Sequence, residues 1–361
     1  MHRFILRATL VAAIVSLALV AAAPLPGAPP DGTYAVTPLV SDVPGAAALT
    51  DPNLVNGWGL ARSATSPWWV ADNGPDPSTS KATLYTGAGA INSLVVNVDG
   101  GPTGTVFTGI ADNFLTASTA SPTLAPSNFV FASEDGKIRA WRGGSTAALV
   151  TPADGGTDPI FKGLAIAQPA TGGPLLYATD FHNARVDMFN GAWQNVTPAT
   201  AFVDPMLPGG YAPFGIQTIG PRVFVSFAKQ DADAEDEVAG QGRGFVDAFD
   251  LDGNLLDRVA QHGQLDAPWG LALAPATFGR YAGDLLVGNF GDGQINAYEE
   301  TSAGFEHRGT LRGIDGKKLA IDGLWALEFG NAGSNGSPDT LFFTAGPDEE
   351  SHGLFGTITT G

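Results

Sequence analysis

The pattern of apolar and polar positions along the chain repeats. Its clearest instance is residues 267–298, "APWGLALAPATFGRYAGDLLVGNFGDGQINAY", which reads as three short strands with their turns. Residues 269–274 are apolar and punctuated by Gly270, and residues 284–289 form a near-continuous apolar run. Gly291, Asp292 and Gly293 then turn the chain into "QINAY", where Ile295 and Ala297 alternate with polar neighbours. Turn glycines between short runs of this kind are a hairpin signal. A unit so small cannot bury its own faces, so it is expected to recur.

With Trp269-Gly270-Leu271 as the anchor, Trp58-Gly59-Leu60 and Trp325-Ala326-Leu327 match directly. Phe214-Gly215-Ile216 and Lys162-Gly163-Leu164 match more loosely, and Thr108-Gly109-Ile110 most weakly. The middle positions are 59, 109, 163, 215, 270 and 326, in steps of 50, 54, 52, 55 and 56. A second apolar run follows each anchor, at 68–74, 129–136, 175–183, 223–230, 285–293 and 341–349. Third runs lie at 82–87, 137–143, 184–191, 244–253, 294–299 and 353–359, and fainter outer ones at 92–99 and 307–311. Four-stranded units at this spacing predict an all-β chain, a six-bladed β-propeller over residues 34–361. The last unit runs out of sequence after its third strand, while residues 33–41 upstream form an orphan strand. Pairing the two closes the ring and removes an exposed edge. A two-domain chain is the alternative, but nothing resembling a linker interrupts the spacing.

Composition agrees. Among 361 residues, 48 glycines and 26 prolines favour turns over long helices, and 44% hydrophobic residues suffice for a core. The absence of cysteine removes disulfides, thiolate nucleophiles and Cys-ligated metals. With 18 basic against 36 acidic residues the formal charge is −18, which argues against nucleic acid and anionic membranes and for cation affinity. At the N-terminus, Arg3 and Arg7 precede an apolar run to Ala23 ending in an Ala-x-Ala site. This reads as a secretory signal peptide over 1–23, followed by a Pro/Gly-rich lead-in over 24–33. A retained anchor is the alternative, though the run is short for a span. The expectation is a monomer that is secreted, or periplasmic where the host has an outer membrane, with no membrane association after cleavage.

In a propeller, the loops leading into the first strand and those joining the second to the third share one face. On that face this chain places Asp72, Glu134, Asp180, Asn289 and the run Asp231, Asp233, Glu235. Oxygen-rich sets suit Ca²⁺ or Mg²⁺, so these seven residues are candidate metal ligands. Turn geometry alone would also account for Asp and Asn in such loops. Residues 228–244, "AKQDADAEDEVAGQGRG", are the most unusual segment; they lack the EF-hand's Gly at position six and terminal Glu. They are either a flexible acidic insertion or an ion-clipped loop over the channel, and Lys229 or Arg243 offers a pairing partner for the carboxylates. His182 and His352 fall on the same face and, with Asp180, are the candidate catalytic residues. No His-Glu-x-x-His, Gly-x-Ser-x-Gly or P-loop pattern occurs, and nothing points to an organic cofactor. Trp58, Trp269 and Trp325 on the anchors are read as interblade packing.

The stretches "DPNLVNGWGLA", "AKQDADAEDEVAGQGRGFVDAFD", "NFGDGQINAY" and "IDGLWALEFGN" resemble an uncharacterised family of exported bacterial proteins with NHL-like six-bladed propellers. Some of its members carry a PEP-CTERM-type sorting anchor; this sequence ends at Gly361 without an apolar tail, which favours release over sorting. The resemblance implies fold and export but no reaction. More distantly the architecture is similar to NHL-type lyases and calcium-dependent lactonases, and by that analogy Glu134, Asn289 and Asp180 would surround a divalent ion. The leading expectation is a secreted binding or scaffold module for an extracellular ligand or protein, with a divalent ion at its acidic face. The alternatives are a metal-dependent hydrolase or lyase using channel carboxylates with His182 or His352 as base, and a structural matrix protein.

Overall fold

The computed structural model describes residues 32–151 and 157–361. The signal peptide expected at 1–23, and all but the end of the lead-in, lie outside the described residues. Among the described residues, no helix is long and apolar enough to cross a membrane.

Six small antiparallel sheets form the blades of a propeller. Blade 1 is built from Gly57–Ala61, Trp68–Asp72, Lys81–Tyr85 and Val96–Asn97. Blade 2 comprises Pro102–Phe107, Phe129–Ser133, Ile138–Trp141 and Ala148–Leu149. Blade 3 has three strands, Phe161–Ala167, Leu175–Asp180 and Arg185–Asn190, with a single Phe189–Asn195 bridge where a fourth would lie. Blades 4 and 5 begin with Tyr211–Ile219 and Pro268–Leu273 and each carry four strands.

Blade 6 joins the two ends of the chain. Leu324–Phe329, Leu341–Ala345 and Leu354–Thr360 are completed by Tyr34–Ser41, paired antiparallel from Tyr34 opposite Thr360 to Ser41 opposite Leu354. The orphan strand therefore closes the ring, and the edge of Leu354–Thr360 is covered along its length.

The inner strands pack so closely that their central residue must be small. A Cβ on Gly59 would lie 2.6 Å from the Thr103 carbonyl oxygen, and one on Gly163 2.8 Å from that of Phe214. The same contacts correct the sequence alignment in blade 2. There the central glycine is Gly104, against Gly163 and Leu164, and not Gly109, which lies beyond the strand with φ 55°. Even spacing misplaced it because this blade carries an extra hairpin, Leu115–Ser118 with Ser121–Pro126, between its inner and second strands.

Candidate functional site

The residue before each central Gly, or before Ala326 in blade 6, lies near the start of the inner strand. Around the ring these are Trp58, Thr103, Lys162, Phe214, Trp269 and Trp325. Four are aromatic, and they close the channel rather than only sealing neighbouring blades. The Trp58 and Trp325 rings stack with centroids 3.5 Å apart, while Trp269 stands edge-on to both at 6.2 and 5.8 Å. Phe214 is edge-on to Trp58 and Trp325, and Phe290 stacks on Trp325 at 4.1 Å. Such offset and edge-to-face contacts add to the burial of large rings. Two indoles are also tied by their N–H groups: Trp269 Nε1 donates to the Lys162 carbonyl (2.8 Å) and Trp325 Nε1 to Asn56 Oδ1 (3.2 Å). Trp58 Nε1 is buried with no hydrogen-bond partner.

Lys162 is the one cation of this ring, and it is 1% exposed. Its Nζ donates to Glu134 Oε1 (2.5 Å) and Asp236 Oδ1 (2.9 Å), and lies 5.4 Å from the Trp58 ring centroid. Asn73 Nδ2 donates to the other Glu134 oxygen (2.8 Å), and Asn56 Nδ2 to Glu350 Oε2 (2.7 Å). Glu237 and Glu350, both partly buried, complete the group. Four carboxyls from three blades thus surround one ammonium above an aromatic floor. The cavity beside it, lined by Glu134, Ile160, Lys162, Glu235 and Asp236, measures about 290 Å³.

Electrostatics follow from this crowding. Burial alone would lower the Lys162 proton affinity, but the charges of Glu134, Asp236 and Glu237 outweigh it and raise the ammonium above the ordinary lysine range. Burial pushes Glu237 up to about 8, against the pull of Lys162. Glu350 is raised by burial too, partly offset by its Asn56 hydrogen bond. With too many carboxyls for one ammonium, part of the group keeps its protons at neutral pH.

The acidic segment at 228–244 reaches this cup as a compact loop. Lys229 O accepts from Val238 N (2.7 Å), Asp231 N donates to Asp236 O (2.9 Å), and Gly240 N donates to Asp266 Oδ1 (2.6 Å). The Lys162 ammonium fastens it through Asp236, whereas the sequence suggested Lys229 or Arg243. Asp231 spends its carboxylate on the Glu235 N–H (3.0 Å), and such backbone donors hold it below the usual range. Asp233 is exposed; Glu235 is exposed and lines the cup.

The other candidates are distributed differently. Asp180 is fully buried and accepts from Asn183 N (3.1 Å) and Nδ2 (2.8 Å), holding its own loop. Asn289 Nδ2 donates to Asp292 Oδ1 (2.9 Å) in its own turn and to Gln264 O (2.8 Å) in the loop before the first strand of blade 5, while its Oδ1 is buried without a hydrogen-bond partner. Asp72 ends the second strand of blade 1, 2% exposed, with neither oxygen hydrogen-bonded, and burial pushes it well above the usual range. His182 Nδ1 lies 3.2 Å from Ala234 O, at the edge of the acidic loop. His352 Nδ1 lies 2.8 Å from Asp42 Oδ2, a bond that raises the affinity of the imidazole for its proton. Of the sequence candidates the cup gathers Glu134 and Glu235, with His182 at its border. Among the described residues, no three His, Asp or Glu side chains are grouped to hold a metal ion. Lys162 escaped the sequence reading as a site residue, although a lysine where neighbouring anchors carry Trp or Phe was the available signal.

No family model matches the chain. It is 31% identical over 339 residues to uncharacterized protein R648 of Acanthamoeba polyphaga mimivirus, covering 90% of this chain and 80% of that protein. The chain belongs to the family of R648. Protein L690 of the same virus is 29% identical over 356 residues, with 90% of this chain and 86% of that protein covered. Among solved structures, the soluble aldose sugar dehydrogenase of Escherichia coli superposes with a TM-score of 0.51 at 12% identity, covering 91% of this chain and all (100%) of that one. The PQQ-bound aldose sugar dehydrogenase of Streptomyces coelicolor gives 0.50 at 14%, covering 92% and 100%. At these identities the likeness is one of fold.

Proposed function

We propose that this R648-family chain is an exported binding module whose acidic cup takes a cationic ligand, with a divalent ion as its simplest form. One observation carries the reading: Glu134, Asp236, Glu237 and Glu350 share a single buried ammonium, leaving the cup with more carboxyls than positive charge. An arriving cation would meet Glu235 and Asp236 at the solvent side and displace protons from Glu237 and Glu350. Lys162 already supplies part of the countercharge, so affinity for Ca²⁺ or Mg²⁺ is modest and rises with pH. Export rests on Arg3, Arg7 and the apolar run to Ala23. Elemental analysis of the purified protein, with melting curves in CaCl₂ and MgCl₂, tests the reading. A melting temperature that rises with either salt but not with NaCl is expected; no bound metal and no specific shift would sink it.

A hydrolase or lyase is the second reading, favoured by Glu237. A carboxyl that titrates near 8 beside an ammonium suits general acid–base work at neutral pH. This role fits Glu237 better than His352, whose Asp42 partner favours the protonated, non-basic imidazole. A panel of lactones and phosphoesters tests it: turnover lost in Glu237→Gln favours the enzyme, and no turnover by the folded wild type rejects it.

A further inference from the structure

We infer that the ligand of the acidic cup is an alkyl diamine, held through its ammonium groups by Glu134, Glu235 and Asp236. The inference rests on the cup being a cation site and names the kind of cation. The cup already holds one primary ammonium. Lys162 Nζ donates to Glu134 Oε1 and Asp236 Oδ1 and lies beside the Trp58 ring, so its partners are two carboxylates and an indole. Both carboxylates keep acceptor capacity on the open side, where the Glu134 side chain is 31% exposed and that of Asp236 71%. Glu235 is exposed; its backbone N–H donates to Asp231, and among the described residues its carboxylate has no partner.

The cavity these groups line measures about 290 Å³, far above the roughly 10–15 Å³ that one water needs, and admits a chain of several carbons. Glu134, Glu235 and Asp236 bring three negative charges to it and Lys162 one positive, which leaves two unmatched. A dication fits that balance, and the spacing of the carboxylates decides between a metal ion and a diamine. Ca²⁺ gathers about six to eight oxygens into one shell. Among the described residues no three His, Asp or Glu side chains are grouped to form one. An ammonium needs only separate acceptors, one for each of its three N–H groups, at about 2.7–2.9 Å. Carboxylates spread around a cavity meet that need. Asn73 Nδ2 donates to Glu134 Oε2 and so fixes the orientation of that carboxylate. Ile160, partly exposed, gives the methylene chain an apolar wall. A monoamine would match one of the two spare charges, and a neutral diol neither.

The test is calorimetric titration of the purified mature protein with cadaverine, pentylamine, 1,5-pentanediol and CaCl₂. It is run at about 0.15 M NaCl, where attraction beyond ~8 Å is largely screened. Cadaverine is expected to bind wild type about tenfold more tightly than pentylamine, and the diol not to bind. Glu235→Gln should weaken cadaverine about tenfold, as expected for one lost charge-assisted hydrogen bond, with its melting temperature unchanged. Glu306→Gln removes the same charge from an exposed position on the outer strand of blade 5 and should bind as wild type does. Equal losses in the two variants would show only general attraction to an acidic surface and would overturn the proposal. Equal affinity for cadaverine and pentylamine would overturn it too, since the second charge would then go unread. If CaCl₂ binds and no amine does, the diamine falls while the cup remains a cation site; if neither binds, both fall.

Discussion

Lys162 Nζ lies 2.9 Å from Asp236 Oδ1, joining the first strand of blade 3 to the loop that leaves the second strand of blade 4. The lysine side chain is 2% exposed and the aspartate 71%, so the bond ties a buried post to a segment that otherwise faces solvent. Position 162 therefore fixes both the charge of the cup and the place of its acidic loop. Lys162→Met should cost about 2 kcal/mol, less than the ~3–5 of fully buried pairs because both carboxylates reach solvent. It should also release the loop: limited proteolysis is expected to cut within 231–240 faster than in wild type. Unchanged cleavage would mean that the backbone bonds of the loop suffice to hold it.

Stability should depend on pH through Glu237. Its folded pKa of about 8 stands above the ordinary 4.5, so the folded state holds the proton more tightly than the unfolded one. The resulting stabilisation is fully present below about 4.5 and is lost as pH rises to about 8. Urea unfolding at pH 5, 6.5 and 8, values that lie within this window, should show that decline in wild type and a flatter curve in Glu237→Gln, the difference being on the order of 2 kcal/mol. Parallel curves for the two proteins would place the proton elsewhere in the cup.

The plug separates shape from hydrogen bonding. Trp58→Ala removes a ring stacked on Trp325 and should cost about 3–5 kcal/mol. Trp58→Phe keeps one aromatic ring and gives up the second, together with an N–H that has no partner, so its cost should be smaller, about 1–2 kcal/mol and set by the cavity rather than by a lost hydrogen bond. Thermal melts of the two variants give the comparison; equal losses would show that a single ring at position 58 cannot hold the plug.

Close approach of the inner strands makes Gly163→Ala destabilising by about 2 kcal/mol, since its methyl would press on the Phe214 carbonyl. Gly173→Ala, in a turn with open space around it but φ 84°, tests backbone conformation instead and should cost only about 1 kcal/mol. Chemical denaturation of both measures the difference.

Much of this architecture was legible because it is periodic. The anchors around Gly59, Gly270 and Ala326 carry apolar flanks on both sides, and the orphan strand at 34–41 announced its partner by the missing fourth strand of the last blade. The blade 2 anchor is hidden in the sequence because Thr103-Gly104-Thr105 has no apolar flank: Thr103 turns its hydroxyl to the Phe161 carbonyl (2.7 Å) where four of the other blades place an aromatic ring. The cup was only half legible. Loop carboxylates such as Glu134 and Glu235 are visible as acids in loops, whereas Lys162 lies inside a strand and gains its meaning from residues 28 and 74 positions away. Asp180 looks like a ligand in sequence, yet it spends its carboxylate on its own turn, and the Asn289 amide N–H groups are spent on Asp292 and Gln264, uses of Asp and Asn that composition cannot distinguish from binding.

Calorimetric titration of CaCl₂ into wild type, Glu237→Gln and Lys162→Met, each at two pH values on either side of the Glu237 titration, tests the acidic cup most directly. Binding is expected to be tighter at the higher pH in wild type, less pH-dependent in Glu237→Gln, and tighter in Lys162→Met, where the internal countercharge is gone. No binding by folded wild type at either pH, together with none in Lys162→Met, would contradict it.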